Sequence, residues 1–90
     1  MIPVFVELKI YASHDEATGT YIQLIPVHYI FEVHPTTIKK DNKDIPCTWI
    51  IMLGEKNYFK AVDTYEDVKE AINNALYNAM NCVSGISELG

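Results

Sequence analysis

The strongest constraint on this chain lies in its middle. Thr48–Leu53, a turn over Gly54–Asn57 and Tyr58–Val62 run directly into Asp63-Thr64 and a long helical pattern. The two flanking segments are rich in β-branched and aromatic side chains, which suit the pleated surface of a strand. The turn between them contains Gly and Asn, so the unit reads as a β-hairpin. Asp63 and Thr64 then offer side-chain oxygens to the unpaired N–H groups that open a helix. A hairpin running into a helix sets the fold class and says little about chemistry.

The rest of the chain extends the sheet. Val4, Val6, Leu8, Ile10 and Ala12 fall on every second position, with Phe5, Glu7, Lys9 and Tyr11 between them, which is the period of a strand with one aliphatic face. Ser13–Gly19 is polar and turns the chain, with Gly19 free to take a positive φ. Thr20–Leu24 should pair antiparallel with the first strand, and Pro26 marks a break because proline has no N–H for a ladder. Tyr29–Val33 reads as a third strand that stops at His34-Pro35. Pro35–Pro46 reads as a polar excursion interrupted by Ile38 and Ile45.

From Tyr65 the apolar positions are Tyr65, Val68, Ala71, Ile72, Ala75, Leu76, Ala79, Met80 and Val83, spaced by three and four as on a helix with one buried stripe. Thr64 to Asp67 forms a weak capping box, and acids at Glu66, Asp67 and Glu70 suit the positive end of the helix dipole. Leu76 is expected at the centre of the buried stripe, Asn74 on the outer face, and Gly85 at the stop. Ninety residues make one domain, 1–90, without room for a second core. The predicted fold is α+β: an antiparallel sheet of about five strands packed against one C-terminal helix, in the order ββ–β–ββ–α. Only the Ile86–Gly90 tail is expected to lie outside it.

Charge narrows the function classes. Lys and Arg total 7 against 12 acids, for a net charge of −5, and every basic residue is Lys. Without the guanidinium fork and with excess negative charge, the chain is poorly equipped for nucleic acid. Its one lysine cluster, Lys39, Lys40 and Lys43, alternates with Asp41 and Asp44 and reads as a solvated loop. The Ile-, Lys-, Asn- and Tyr-rich composition is that of an AT-rich genome, pointing to a low-GC bacterium, a phage or a mobile element. Met1–Ile10 alternates and carries Glu7 and Lys9, unlike a signal peptide or membrane span, so a cytoplasmic location is expected. Cys47 and Cys82 are too few and too distant for a disulfide framework or a zinc site, and both read as structural thiols.

No catalytic or metal constellation stands out. His14-Asp15-Glu16 is the one local group of ligating side chains, and it reads as an exposed turn; His28 and His34 read as strand histidines. A Cys47–histidine pair has no favouring spacing, and the four glycines stand apart rather than forming a phosphate loop. The expectation is no enzyme, no metal and no cofactor. The aromatic residues are more informative. Tyr11, Tyr21, Tyr29, Phe31, Trp49, Tyr58 and Phe59 lie on proposed strands, and Trp49 and Ile51 share one face while Ile50 and Met52 share the other. One face belongs to the helix, and the second is a candidate interface, with Tyr21, Tyr29, Phe31, Trp49 and Tyr58 as its binding residues.

The segment Thr20–Ile72 resembles the small FlbD-type proteins associated with flagella and swarming in bacteria. Pro26, Ile30 and Val33 match a proline-led apolar element of that family. Cys47–Leu53, Gly54–Asn57, Tyr58–Val62 and Thr64–Ile72 match its strand–turn–strand and acidic helix start. The first 19 residues, Pro35–Pro46 and the Asn-rich helix depart from the pattern. The resemblance implies the same hairpin–helix architecture and a role in motility. The functional expectation is a small non-enzymatic bacterial or phage-derived binding module acting through protein contacts on an aromatic-rich sheet face. Its partner is another protein or a second copy of the chain, and not nucleic acid or membrane. The alternative is an oligomer that binds or sequesters a signalling nucleotide, with bases stacked on the aromatic face.

Overall fold

A computed structural model of the chain describes residues 3–54 and 58–89, with side-chain surroundings described up to residue 80. Five strands precede one helix: β1 (Phe5–Tyr11), β2 (Thr20–Pro26), β3 (Ile30–Lys40), β4 (Lys43–Met52), β5 (Tyr58–Ala61) and α1 (Tyr65–Leu89). They form a single antiparallel sheet in the order β2-β1-β5-β4-β3, with the helix against one face. The α+β class and the order of elements along the chain follow the sequence reading.

The alternation in β1 sorts the two faces. Val6, Leu8 and Ile10 point to the inner face, where they meet Ile25, Ile50, Ala61 and Val68 in one aliphatic core. Val27, Ile30, Val33, Met52 and Phe59 close its periphery, with Ala71, Ile72 and Ala75 from the helix. β2 and β3 are the two edges, yet only the short 3-10 turn Val27–Tyr29 joins them. β2 and β3 run in the same direction, so a flat sheet would set the joined ends at its opposite ends and about 19 Å apart sideways as well, further than the roughly 14 Å that this connection spans at full stretch. The sheet therefore curls about its inner face, which is why Ile25 of β2 shares a core with Ile50 of β4.

Pro35–Pro46 is the largest correction to the sequence reading. It is a continuous hairpin rather than a polar excursion, and β3 does not stop at His34. Asp41 and Asn42 form its two-residue turn with φ of 52° and 64°, the left-handed pair that matches the twist of the strands. Ile38 stands opposite Ile45 and Thr36 opposite Cys47. Pro46 faces Thr37 at a non-bonded position of the ladder, where no N–H is needed, and the Thr37 carbonyl, turned away from β4, accepts from Lys60 Nζ at 2.8 Å. The three lysines at the tip are exposed, as a solvated segment should be, and Lys39 pairs with Asp44 at 2.8 Å.

Gly54 takes φ +78° where β4 turns towards β5; the remaining turn residues, 55–57, lie outside the described residues. Gly19 has no positive φ, so the freedom expected of it is not used. Thr64 caps the helix: its Oγ1 accepts from Asp67 N–H at 3.4 Å, and its carbonyl accepts from Val68 N–H at 2.9 Å. Thr48, fully buried in β4, donates its hydroxyl to the Asp63 carbonyl at 2.8 Å and ties that strand to the helix entry.

The helix stripe divides in two. Val68 is fully buried and Ala71, Ile72 and Ala75 are half-buried, but Leu76 is 36 % exposed and Met80 70 %. Leu76 is thus not the centre of the buried stripe, because the helix outruns the curled sheet after Ala75. Asn74 is exposed, on the outer side as expected. The helix continues past Gly85 to Leu89, so Gly85 is not its stop and most of the expected tail is helical. Cys82 and Val83 lie outside the described side chains. Among the described residues, no helix is long and apolar enough to cross a membrane.

Candidate functional site

The outer face of the sheet carries the aromatic side chains that the helix leaves free. Trp49 on β4 stands opposite Lys60 on β5 and His34 on β3, while Ile51 stands opposite Tyr58 and Glu32. The Trp49 and Tyr58 rings meet edge to face with centroids 4.7 Å apart, a favoured arrangement for aromatic quadrupoles. Lys60 Nζ lies 5.0 Å from the Trp49 ring centroid while donating to Thr37, and only 9 % of the residue is exposed. Its ammonium is fixed in the sheet and is not free to hold a ligand phosphate. His34 Nε2 and a Glu32 carboxylate oxygen lie within hydrogen-bond contact beside this cluster.

A third ring arrives from a segment that reads as a simple solvated turn. The His14 ring lies tilted against Tyr58 with centroids 4.8 Å apart and meets Trp49 edge to face at 5.8 Å. The reason is the path of the β1–β2 loop, which crosses the end of the outer face and docks on β3. Ala17 N–H donates to the Lys39 carbonyl at 2.9 Å, and Lys39 N–H donates to the Asp15 carbonyl at 3.3 Å. Below the loop lies a second small core of Tyr11, Ile38 and Cys47, flanked by Ala17, Ile45 and Val62. His14, Asp15 and Glu16 are exposed as the sequence suggests, but they ride on an anchored strap.

Burial pushes the Cys47 thiol up, an effect that the nearby Lys60 charge only partly offsets. Tyr11 is likewise raised, first by burial and then by the neighbouring Cys47. A buried thiol held in its neutral form is a poor nucleophile. His34 is occupied with Glu32, and His28 sits on the 3-10 turn. Among the described residues no three His, Cys, Asp or Glu side chains group as metal ligands.

The five sequence-selected residues do not share one surface. Trp49 and Tyr58 meet on the outer face, with Trp49 half-buried and Tyr58 exposed. Tyr21 stands opposite Ile10 on the inner side of β2, Tyr29 belongs to the 3-10 turn, and Phe31 is the unpaired residue of a bulge in β3. All three are exposed. Tyr29 lines a groove of about 310 Å³ with Leu24, Ile25, Met52, Leu53 and Phe59, where the strand ends meet. Among the described residues no charged side chain lines that groove. His14 is the member of the outer cluster that sequence reasoning missed, since a loop residue has no periodicity to reveal the face it reaches.

Searches against protein-family models, curated proteins and solved structures match nothing to this chain.

Proposed function

We propose that the protein is a small non-enzymatic binding module, bacterial or phage-derived, that engages another protein through the outer face of its sheet. The observation that carries this reading is the His14–Trp49–Tyr58 cluster, held on a rigid sheet and left uncovered by the helix. Such rings supply contact area at low entropic cost, and their N–H and O–H groups add direction. Around them the one buried cation among the described residues, Lys60, is held by the Thr37 carbonyl, and the one described thiol is buried and neutral. Both favour recognition over group transfer. The FlbD-type resemblance makes flagellar components the first partners to try.

Proximity labelling in cells carrying the wild-type chain and the Tyr58→Ala and His14→Ala variants tests this. A common partner whose labelling falls in both variants, with unchanged expression and melting, supports it. Equal labelling by all three chains contradicts it. Native mass spectrometry of the freshly purified protein tests the nucleotide alternative, for which a retained nucleotide-sized mass would replace the present reading.

A further inference from the structure

The two edges of the sheet are protected very differently. β3 carries Glu32, Lys39 and Lys40, contains Pro35 and a bulge, and has the β1–β2 loop docked at Lys39. Charges, prolines, bulges and covering loops are the devices that keep an edge from pairing with another chain. β2, Thr20–Pro26, has no charged residue at all. Its Ile22 and Leu24 are 58 % and 57 % exposed, and Tyr21 is exposed on the opposite side.

The ladder shows which backbone groups β2 presents outward. Beyond one end Ala12 N–H donates to the Gly19 carbonyl at 2.8 Å, and beyond the other Val27 N–H donates to the Val4 carbonyl at 2.9 Å. Bonded and non-bonded pairs alternate along an antiparallel ladder. The bonded pairs of β1 and β2 are therefore Val6–Ile25, Leu8–Gln23 and Ile10–Tyr21. Thr20, Ile22 and Leu24 turn their N–H and C=O groups away from β1, towards open solvent. The Gln23 side chain agrees, since its Nε2 reaches the Leu24 carbonyl at 3.2 Å. Pro26, next in the series, has no N–H and ends it.

We propose that β2 is the contact strand of a two-fold homodimer, pairing antiparallel with the β2 of a second copy about Ile22. Ile22 then faces the partner's Ile22, and Thr20 and Leu24 face each other across the axis in both directions. Each of these three opposed pairs exchanges two backbone bonds, so every outward donor and acceptor from Thr20 to Leu24 is met. Centring the pairing on Gln23 instead sets the Pro26 ring against Thr20, where it takes the place of an N–H and leaves the Thr20 carbonyl without a donor. On the inner face, Tyr21 lies across from the partner's Gln23, with its ring beside an amide.

Charge also selects a second copy at this place. Two chains of −5 each repel in general, but here two uncharged strands meet. The two Lys9 side chains, one strand further out, stay about 14 Å apart, beyond the roughly 8 Å screening length. The outward spacing of β2 complements itself, so no foreign strand is needed to satisfy it. This contact is independent of the aromatic outer cluster.

Analytical ultracentrifugation at high micromolar concentration, with cysteine cross-linking, tests it. Wild type is expected to sediment as a dimer. Ile22→Lys, which sets two ammonium groups against each other on the axis, is expected to sediment as a monomer that keeps the wild-type circular dichroism spectrum. Under mild oxidation Ile22→Cys should form a covalent dimer beyond the wild-type background. Leu24→Cys should link to Thr20→Cys in a mixture and not to itself. A monomeric wild type, or a dimer that survives Ile22→Lys and does not cross-link through Ile22→Cys, overturns the proposal. If Ile22→Lys fails to fold, the cysteine pattern decides. Partner labelling lost in Tyr58→Ala while the dimer persists would separate this contact from the outer-face reading.

Discussion

The inner and outer faces of the sheet are built from alternate residues of the same strands, and they do different work. On the inner face Val6, Leu8, Ile10, Ile25, Ile50 and Ala61 are buried aliphatic side chains closed by Val68. On the outer face the Trp49, Tyr58 and His14 rings cluster in partial contact with solvent above a lysine fixed by a backbone carbonyl. The inner face carries the main core; the outer face covers a second small core beneath the β1–β2 loop and leaves the ring cluster available to meet something. In Trp49-Ile50-Ile51-Met52 the two roles alternate residue by residue. The difference teaches that exposure of aromatic residues is informative only once the strand phase is known. Tyr21 and Tyr58 are similarly exposed and lie on opposite faces.

Substitutions can break or sharpen this contrast. The largest effect should come from Ile50→Ala, which empties the middle of the inner core at a site with no exposure. A loss of about 2–5 kcal/mol is expected, against a total of about 5–10 kcal/mol for a domain of this size, measured by urea denaturation. Thr48→Val keeps the volume but removes the donor to the Asp63 carbonyl, and should cost about 1–2 kcal/mol in the same assay. Thr64→Ala should cost about 0.5–2 kcal/mol, with Thr64→Ser restoring most of it, since the cap needs only the hydroxyl oxygen.

The outer face makes a pH prediction. Cys47 and Tyr11 both have raised pKa values in the folded chain, so the unfolded chain releases these protons first as pH rises. Their contribution to stability is fully present below the ordinary thiol value of about 8.5–9 and declines as pH climbs above it. Melting temperature should fall on the alkaline side, and Cys47→Ala should flatten that slope. The smallest effects belong to the free part of the helix. Leu76→Ala should cost less than about 1 kcal/mol and Asn74→Ala should stay within about 0.5 kcal/mol of wild type. A loss at Leu76 as large as at Ile50 would mean that the helix end is covered by another chain in solution.

Much of the fold was legible because periodicity survives tertiary packing. The alternation of Val6, Leu8 and Ile10, the Ile50/Met52 against Trp49/Ile51 split and the Thr64 cap all follow from local pattern. The Pro35–Pro46 hairpin was hidden by two prolines and a run of charges, each of which argues against a strand. A signal was nonetheless present: Ile38 and Ile45 are equidistant from Asp41-Asn42, a pair suited to a left-handed two-residue turn. Where the stripe of the helix ends was not legible, because its spacing continues through Leu76 and Met80 while the sheet beneath does not. Nor was the place of His14, which is set by backbone bonds between the Ser13–Gly19 loop and Lys39, some 20 residues beyond it in the chain. The aromatic site was therefore half visible, as Trp49 and Tyr58 without their third ring.

The most direct test of the division between the faces is hydroxyl-radical footprinting of the chain alone and bound to the partner recovered by proximity labelling. Protection is expected at His14, Trp49 and Tyr58 on binding, with Tyr29, Tyr77 and Met80 oxidised as before. Protection at Tyr77 and Met80 with the outer cluster unchanged would contradict it and move the binding surface to the helix.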